Sequence, residues 1–242
     1  MTMYKKMTFI VREHDVGTND KIKPSGVLDF FQDIAGIHAA TLGLGANDIL
    51  QNHLLWILVY TEFDVLKELP KFADVINIET WPKEGTKLEL PREYVIKDVN
   101  DDVIIKGVSN WVVVNSETKR VQMASDVVFP DEFYTYTNYP DKVKRKVGLD
   151  YGEFDSSYEY KVLFSDLDHN GHMNNAKYLD MVYNMQVYPG NKEYKHVEIE
   201  FVHEAKLGEV VTIKHYKEGI YDCYVGFLES EVCFEVRMEM TK

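Results

Sequence analysis

Along most of this chain apolar and polar residues alternate with a period of two, and in two places the period changes to that of a helix. Residues 5–13 alternate as a strand, and a loop follows at 14–24. Pro24-Ser25 then opens a helix, with Ser25 as the expected N-cap. Its apolar residues Val27, Leu28, Phe30, Phe31, Ile34, Ala35 and Ile37 occupy more than one face, which predicts an enclosed helix. Thr41–Asn52 reads as a loop with some helical turns. Four strands follow, near 54–68, 73–84, 87–98 and 103–115, punctuated by Leu69-Pro70, Glu84-Gly85 and Asn100-Asp101-Asp102. Periodicity is lost over 116–155. It returns as a strand near 157–164, a loop at 165–173, a helix near 174–188, and strands near 193–203, 209–217, 220–229 and 231–240. In the second helix Tyr178, Met181, Val182 and Met185 make a single stripe.

The two halves therefore carry the same order of elements, and they also share residues. Shifted by 151 positions, Asp15-Val-Gly-Thr-Asn19-Asp-Lys21 lies under Asp166-Leu-Asp168-His-Asn170-Gly-His172, and Leu28-Asp29 falls on Leu179-Asp180. At an offset of 135, Lys71-Phe-Ala-Asp-Val-Ile-Asn-Ile pairs with Lys206-Leu-Gly-Glu-Val-Val-Thr-Ile. The conserved order of the two blocks indicates a duplication. It divides the chain into a first repeat at 1–117, a linker at 118–155 and a second repeat at 156–242. A long apolar helix followed by an antiparallel meander must bury itself against that sheet. The expected class is α+β: a tandem (double) hot-dog, two helices each wrapped by an antiparallel sheet. Side-by-side pairing into one continuous sheet would hide two edge strands.

Composition narrows the function. The chain has 242 residues and 45% hydrophobic content, ordinary for a globular protein. No apolar run approaches the roughly 20 residues of a membrane span, and the N-terminal residues lack a signal-peptide core, so a cytoplasmic location is expected. A net charge of −13 argues against nucleic acid as partner. No cluster has zinc-ligand spacing, and Cys223 and Cys233 fall in strand-like segments as reduced core thiols. The basic residues gather at Lys142-Val-Lys144-Arg145-Lys146, read either as a solvated linker or as a landing site for an acidic partner.

Candidate chemistry lies in the second repeat. Asp168, Asn170 and His172 are spaced by two, so an extended loop would point them the same way, just before a helix for which Asn174 is a good N-cap. A helix N-terminus offers free N–H donors suited to an oxyanion, and imidazole beside carboxylate suits acid–base work. Asp-His-Asn-Gly is also ordinary turn chemistry. The first repeat, however, makes the corresponding turn with Gly17, Thr18, Asn19 and Asp20, so the turn itself does not require Asp168 or His172. Simple alternation puts Glu204 on the outer side of its strand with Glu198 and Glu200, as one more surface acid; a bulge at the strand end would reverse it. His196, His203 and His215 are strand histidines without an evident partner, His38 reads as a core residue, and His169 faces away from its neighbours.

The run Ser165-Asp-Leu-Asp-His-Asn-Gly-His-Met-Asn-Asn-Ala-Lys-Tyr178, with Ile199-Glu-Phe-Val-His-Glu204 downstream, resembles the fatty acyl-ACP thioesterases of plants and bacteria over most of the chain. The resemblance implies hydrolysis of fatty acyl thioesters of acyl carrier protein, with Asp168, Asn170, His172 and Glu204 catalytic and no metal or cofactor. The plant members have a Cys after the Glu, once proposed as nucleophile; here that position is Ala205, which favours carboxylate chemistry. The first repeat would supply the acyl pocket. Leu28, Phe31, Ile34 and the Trp56–Tyr60 strand are either its walls or ordinary core. An acidic carrier protein would need a basic docking patch, for which Lys142, Lys144, Arg145, Lys146, Lys87 and Arg92 are candidates. An acyl-CoA thioesterase and a non-catalytic acyl-binding module are the alternatives, and homodimerisation is left open.

Overall fold

The computed structural model describes residues 3–139, 143–168, 171–185 and 193–241. The alternating segments form strands close to their predicted limits. In the first half these are β1 (Lys5–Ile10), β2 (Leu54–Val65), β3 (Val75–Pro82), β4 (Leu90–Lys97) and β5 (Val103–Asn115). In the second half they are β6 (Ser156–Lys161), β7 (Tyr194–Phe201), β8 (Val210–Glu218), β9 (Tyr221–Leu228) and β10 (Glu231–Met240). All ten join one antiparallel sheet in the order β1-β3-β4-β5-β2-β7-β10-β9-β8-β6. The halves meet where β2 pairs with β7, from Tyr60 opposite Glu200 to Asp64 opposite His196. Each repeat's inner strand thus covers the other's edge.

The helices are α1 (Pro24–Thr41), the short α2 (Ala46–Leu50) and α3 (Asn175–Met185). In α1, Val27, Leu28, Phe30, Phe31 and Ile34 are buried, as expected of an enclosed helix. Phe31 stacks on Tyr94 with centroids 4.2 Å apart, an approach allowed because a Cβ on Gly107 would overlap the Phe31 ring. The N-cap differs from the sequence reading. Pro24 is at the first helical position, so Lys23 is the cap residue and Ser25 is the second residue of the helix. The Ser25 hydroxyl donates instead to Asp180 Oδ1 on α3, at 2.6 Å.

That bond has a counterpart in the other half. Asp29 of α1, which the 151-residue offset equates with Asp180, approaches the Asn174 side-chain amide at the start of α3, with Nδ2 3.5 Å from Oδ1. Each helix therefore sets an aspartate at the other's N-terminus, where the dipole favours negative charge. Burial pushes the Asp29 carboxyl up to about 6, partly offset by Asn174. The loops repeat as well. Asp15 accepts from the Arg12 amide and Asp166 from the Leu163 amide, and Val16 bridges Ile22 as Leu167 bridges Met173. The second offset has its own duplicate: Asp74 accepts from the Lys71 amide, Glu209 from the Lys206 amide, both at 2.8 Å.

The linker does not hang in solvent. It crosses the outer face of the sheet and binds acids buried there. Asn138 N–H donates to Glu93, Tyr139 Oη to Asp64, Lys144 Nζ to Glu198 at 2.7 Å and Val147 N–H to Glu200 at 3.0 Å. Arg145 pairs with Glu89 at 2.8 Å. Glu198 and Glu200, expected on the surface, are buried because this strap covers them. Lys142 lies outside the described residues.

Candidate active site

Asp168 and His172 come together by turn closure, not by extended alternation. Leu167 and Met173 form an isolated bridge, the Asp168 amide donates to the His172 carbonyl at 2.7 Å, and the Gly171 amide returns to the Asp168 carbonyl at 3.0 Å. Gly171 has φ +78°, the left-handed conformation in which its amide turns back to the Asp168 carbonyl. The two residues thus face each other across a minimal hairpin. Asp168 Oδ1 also accepts the His172 amide at 3.1 Å, which anchors the carboxylate to the loop. Asn170 and His169 lie outside the described residues. Asn174 caps α3 as expected, its Oδ1 accepting the Ala176 amide at 3.0 Å.

Glu204 arrives from the end of β7. Past Phe201 the amides of Val202 and His203 both donate to the Cys233 carbonyl, at 2.9 and 3.0 Å, so two residues oppose one. This is the pattern of a bulge, and it shifts the alternation that would have left Glu204 outside. The segment is then pinned: Ala205 N–H donates to Tyr178 Oη at 2.9 Å and the Cys233 thiol contacts the His203 carbonyl at 3.0 Å. Glu204 Oε1 comes to lie 3.9 Å from His172 Nδ1, with both side chains a little under half exposed.

Asp168, His172 and Glu204 line one cavity of about 630 Å³. Its remaining wall comes largely from the first repeat: Gln32, Ala35, Gly36 and Ala39 of α1, Trp56 and Leu58 of β2, and Trp111 of β5. Of the wall residues expected there, the β2 segment serves. Leu28, Phe31 and Ile34 belong to the core and do not line the cavity. Gln32 also ties the repeats together, accepting from Asn175 Nδ2 at 2.9 Å beside the start of α3.

The corresponding loop of the first repeat faces a cleft of comparable size, about 720 Å³, lined by Gly17, Thr18, Lys23, Lys177, Asp180 and Tyr183. Size does not locate the chemistry here. Gly17 stands where the second repeat has Asp168, and a Cβ there would collide with the Tyr183 hydroxyl. Lys21, in the place of His172, is bound to Glu68. Of these two cavities, only the one that Glu204 lines brings an imidazole together with the acids.

The other histidines have partners that the sequence did not disclose. His196 lies 2.7 Å from Asp64 and 3.2 Å from Glu198 through its two nitrogens. Burial opposes its charge, but these carboxylates prevail and raise its pKa to about 9. His215 is held between Asp155 and Asp222 at 2.6 and 2.7 Å, and its pKa is raised by those acids against the cost of burial. His203 has Glu231 at 3.9 Å. His38 is buried but polar in contact, with Arg92 Nη1 3.0 Å from its Nδ1. Glu62, His196 and Glu198 have the spacing of a metal cluster, yet Lys144 and Arg237 already supply positive charge to Glu198. Cys223 and Cys233 are buried free thiols, and burial pushes them up to about 11 and about 12, far from a nucleophile's range. The position after Glu204 is the buried Ala205 and carries no thiol. No described helix is long and apolar enough to cross a membrane.

The chain was compared with known proteins. It is 27% identical over 242 aligned positions to the chloroplast oleoyl-acyl carrier protein thioesterase of Coriandrum sativum, covering 93% of this chain and 62% of that one. An acyl-ACP thioesterase of Bacteroides thetaiotaomicron superposes with a TM-score of 0.83 at 16% identity, over 99% of this chain and 98% of the other. The 12:0-ACP thioesterase of Umbellularia californica superposes with a TM-score of 0.82 at 19% identity, over 100% and 98%. These likenesses establish the double hot-dog fold. Family sequence models for the acyl-ACP thioesterase N-terminal and C-terminal domains match residues 2–131 and 152–235. With most of its length matched by that pair, the chain belongs to the acyl-ACP thioesterase family.

Proposed function

We propose that the protein hydrolyses the thioester of fatty acyl-[acyl carrier protein] to the free fatty acid and the carrier thiol. The observation that carries this is the 3.9 Å approach of Glu204 to His172 within the cavity that Asp168 also lines. The family match gives the acyl thioester as substrate class. The thioester carbonyl is placed at the start of α3, where the positive end of the helix dipole stabilises the oxyanion. The Glu204–His172 separation is an ion-pair distance but exceeds a hydrogen bond, and a water held between them is oriented toward the carbonyl carbon. Water adds to that carbon, a carboxylate takes its proton, and the carbon–sulfur bond breaks. The thiolate leaves and recovers the proton. Glu204 is the base, His172 orients and polarises, and Asp168 holds the His172 loop through the backbone amide. Asn170 is assigned a carbonyl-binding role through the resemblance. Direct attack by Asp168, giving an anhydride, is the competing route.

Docking of an acidic carrier would draw on fewer of the expected cations. Lys144 and Arg145 are engaged by buried acids of the sheet, and Arg92 is buried. Lys87 and Lys146 remain exposed. Parallel assays with acyl-ACP and acyl-CoA over matched chain lengths test the carrier. A higher kcat/KM for acyl-ACP supports the proposal, a preference for CoA would make the chain an acyl-CoA thioesterase, and no turnover of either would leave an acyl-binding module.

A further inference from the structure

The cavity wall contains a charged residue that hydrolysis does not use. Arg92 on β4 lines the cavity and is 8% exposed. Among the described residues no carboxylate lies within ion-pair distance of it. Its side-chain partners are His38 Nδ1 at 3.0 Å and Thr80 Oγ1 at 3.3 Å, both served by Nη1. A guanidinium has five N–H donors and no acceptor, and among the described residues Nη2 and Nε meet no side-chain or backbone acceptor. The adjacent acid, Glu93, points to the other face, where Asn138 and Thr137 bind it. Burial of a cation without an anion is unfavourable, and the surroundings disfavour the charge. His38 and Thr80 fix the group in place, since α1 and β3 grip it from two sides.

Its position matters as much as its charge. Arg92 is opposite Ser109 on β5, Ser109 opposite Thr61 on β2, and Thr61 opposite Ile199 on β7. Three strand spacings, about 14 Å, therefore separate Arg92 from the strand that leads to Glu204. The cavity reaches it between Trp111, Leu90 and Pro82. A substrate's reacting end at His172 would leave its chain running toward this arginine.

We propose that Arg92, held by His38 and Thr80, is a subsite for an acceptor oxygen on the acyl chain. On this assignment, which presupposes the thioesterase reading, the preferred substrates carry a hydroxyl, oxo or carboxyl oxygen remote from the thioester. A plain alkyl chain would cover the guanidinium and satisfy none of its donors, whereas an oxygen-bearing chain would complete it.

The test compares plain acyl-ACP substrates with the same chains bearing a terminal hydroxyl or carboxyl group, over a range of lengths. For wild type the oxygenated chain of fitting length is expected to exceed its plain counterpart in kcat/KM by about a hundredfold. Arg92→Met should erase that preference while still cleaving plain chains. Wild type that cleaves plain chains as well as or better than oxygenated ones at every length overturns the subsite and leaves the thioesterase reading standing. The wild-type ratio decides even where the variant does not fold. If neither series is cleaved, the thioesterase reading fails. Calorimetry with free hydroxy acids and plain fatty acids then decides the subsite: tighter binding of the hydroxy acids sustains it, and equal binding ends it.

Discussion

Raising the pH should weaken the junction between the repeats through one side chain. His196 sits on β7 at the β2 seam, between Asp64 and Glu198, with a side chain 20% exposed. Its folded pKa is about 9, against 6.5 in the unfolded chain. A raised pKa contributes stability that is complete below the unfolded value and is lost as pH rises through the folded one. The displacement corresponds to about 3 kcal/mol at pH 6.5, falls to about half of that at pH 8 and vanishes near pH 10. The assay is urea unfolding of wild type and His196→Gln at several pH values. Other groups titrate over the same interval, so the difference between the two proteins isolates this contribution. It should shrink by about half between pH 6.5 and pH 8. A difference that stays constant, or grows, would refute the charged state assigned to His196.

Other substitutions report on the remaining contacts. Lys144→Met should cost about 2 kcal/mol, because it strips a cation from Glu198, whose side chain is 4% exposed; the partial exposure of Lys144 keeps the loss below that of a fully buried pair. An unchanged melting temperature would mean that the linker does not strap the sheet. Gly17→Ala should destabilise by about 1–2 kcal/mol through collision with the Tyr183 hydroxyl, and Tyr183→Phe should relieve part of that cost; equal costs in both backgrounds would place the strain elsewhere. Asn174→Ala removes the α3 cap and should cost about 1 kcal/mol in thermal unfolding.

Elements that rest on local periodicity were legible in the chain. β5 and β10 begin and end near the positions that alternation predicts, and both repeat offsets reappear as duplicated loop hydrogen bonds. What escaped depends on contacts between distant segments. Glu198 and Glu200 read as surface acids because alternation cannot report a linker laid over them. The basic cluster read as a solvated linker or a landing site, and no local pattern could show that Lys144 and Arg145 meet Glu198 and Glu89. Arg92 looked available for docking, yet its strand faces α1. Asp168 and His172 were singled out correctly as neighbours but for the wrong geometry: Gly171 closes a hairpin where an extended loop was expected. The inward turn of Glu204 comes from a bulge against Cys233, which no local pattern encodes.

Single-turnover hydrolysis of a fatty acyl-ACP by wild type and Glu204→Gln, with unfolding measured alongside, tests the convergence of the carboxylate and imidazole most directly. Glu204→Gln preserves shape and should lower the chemical step by at least about a hundredfold with stability unchanged. A variant that is equally folded and retains most of its rate would contradict the assignment.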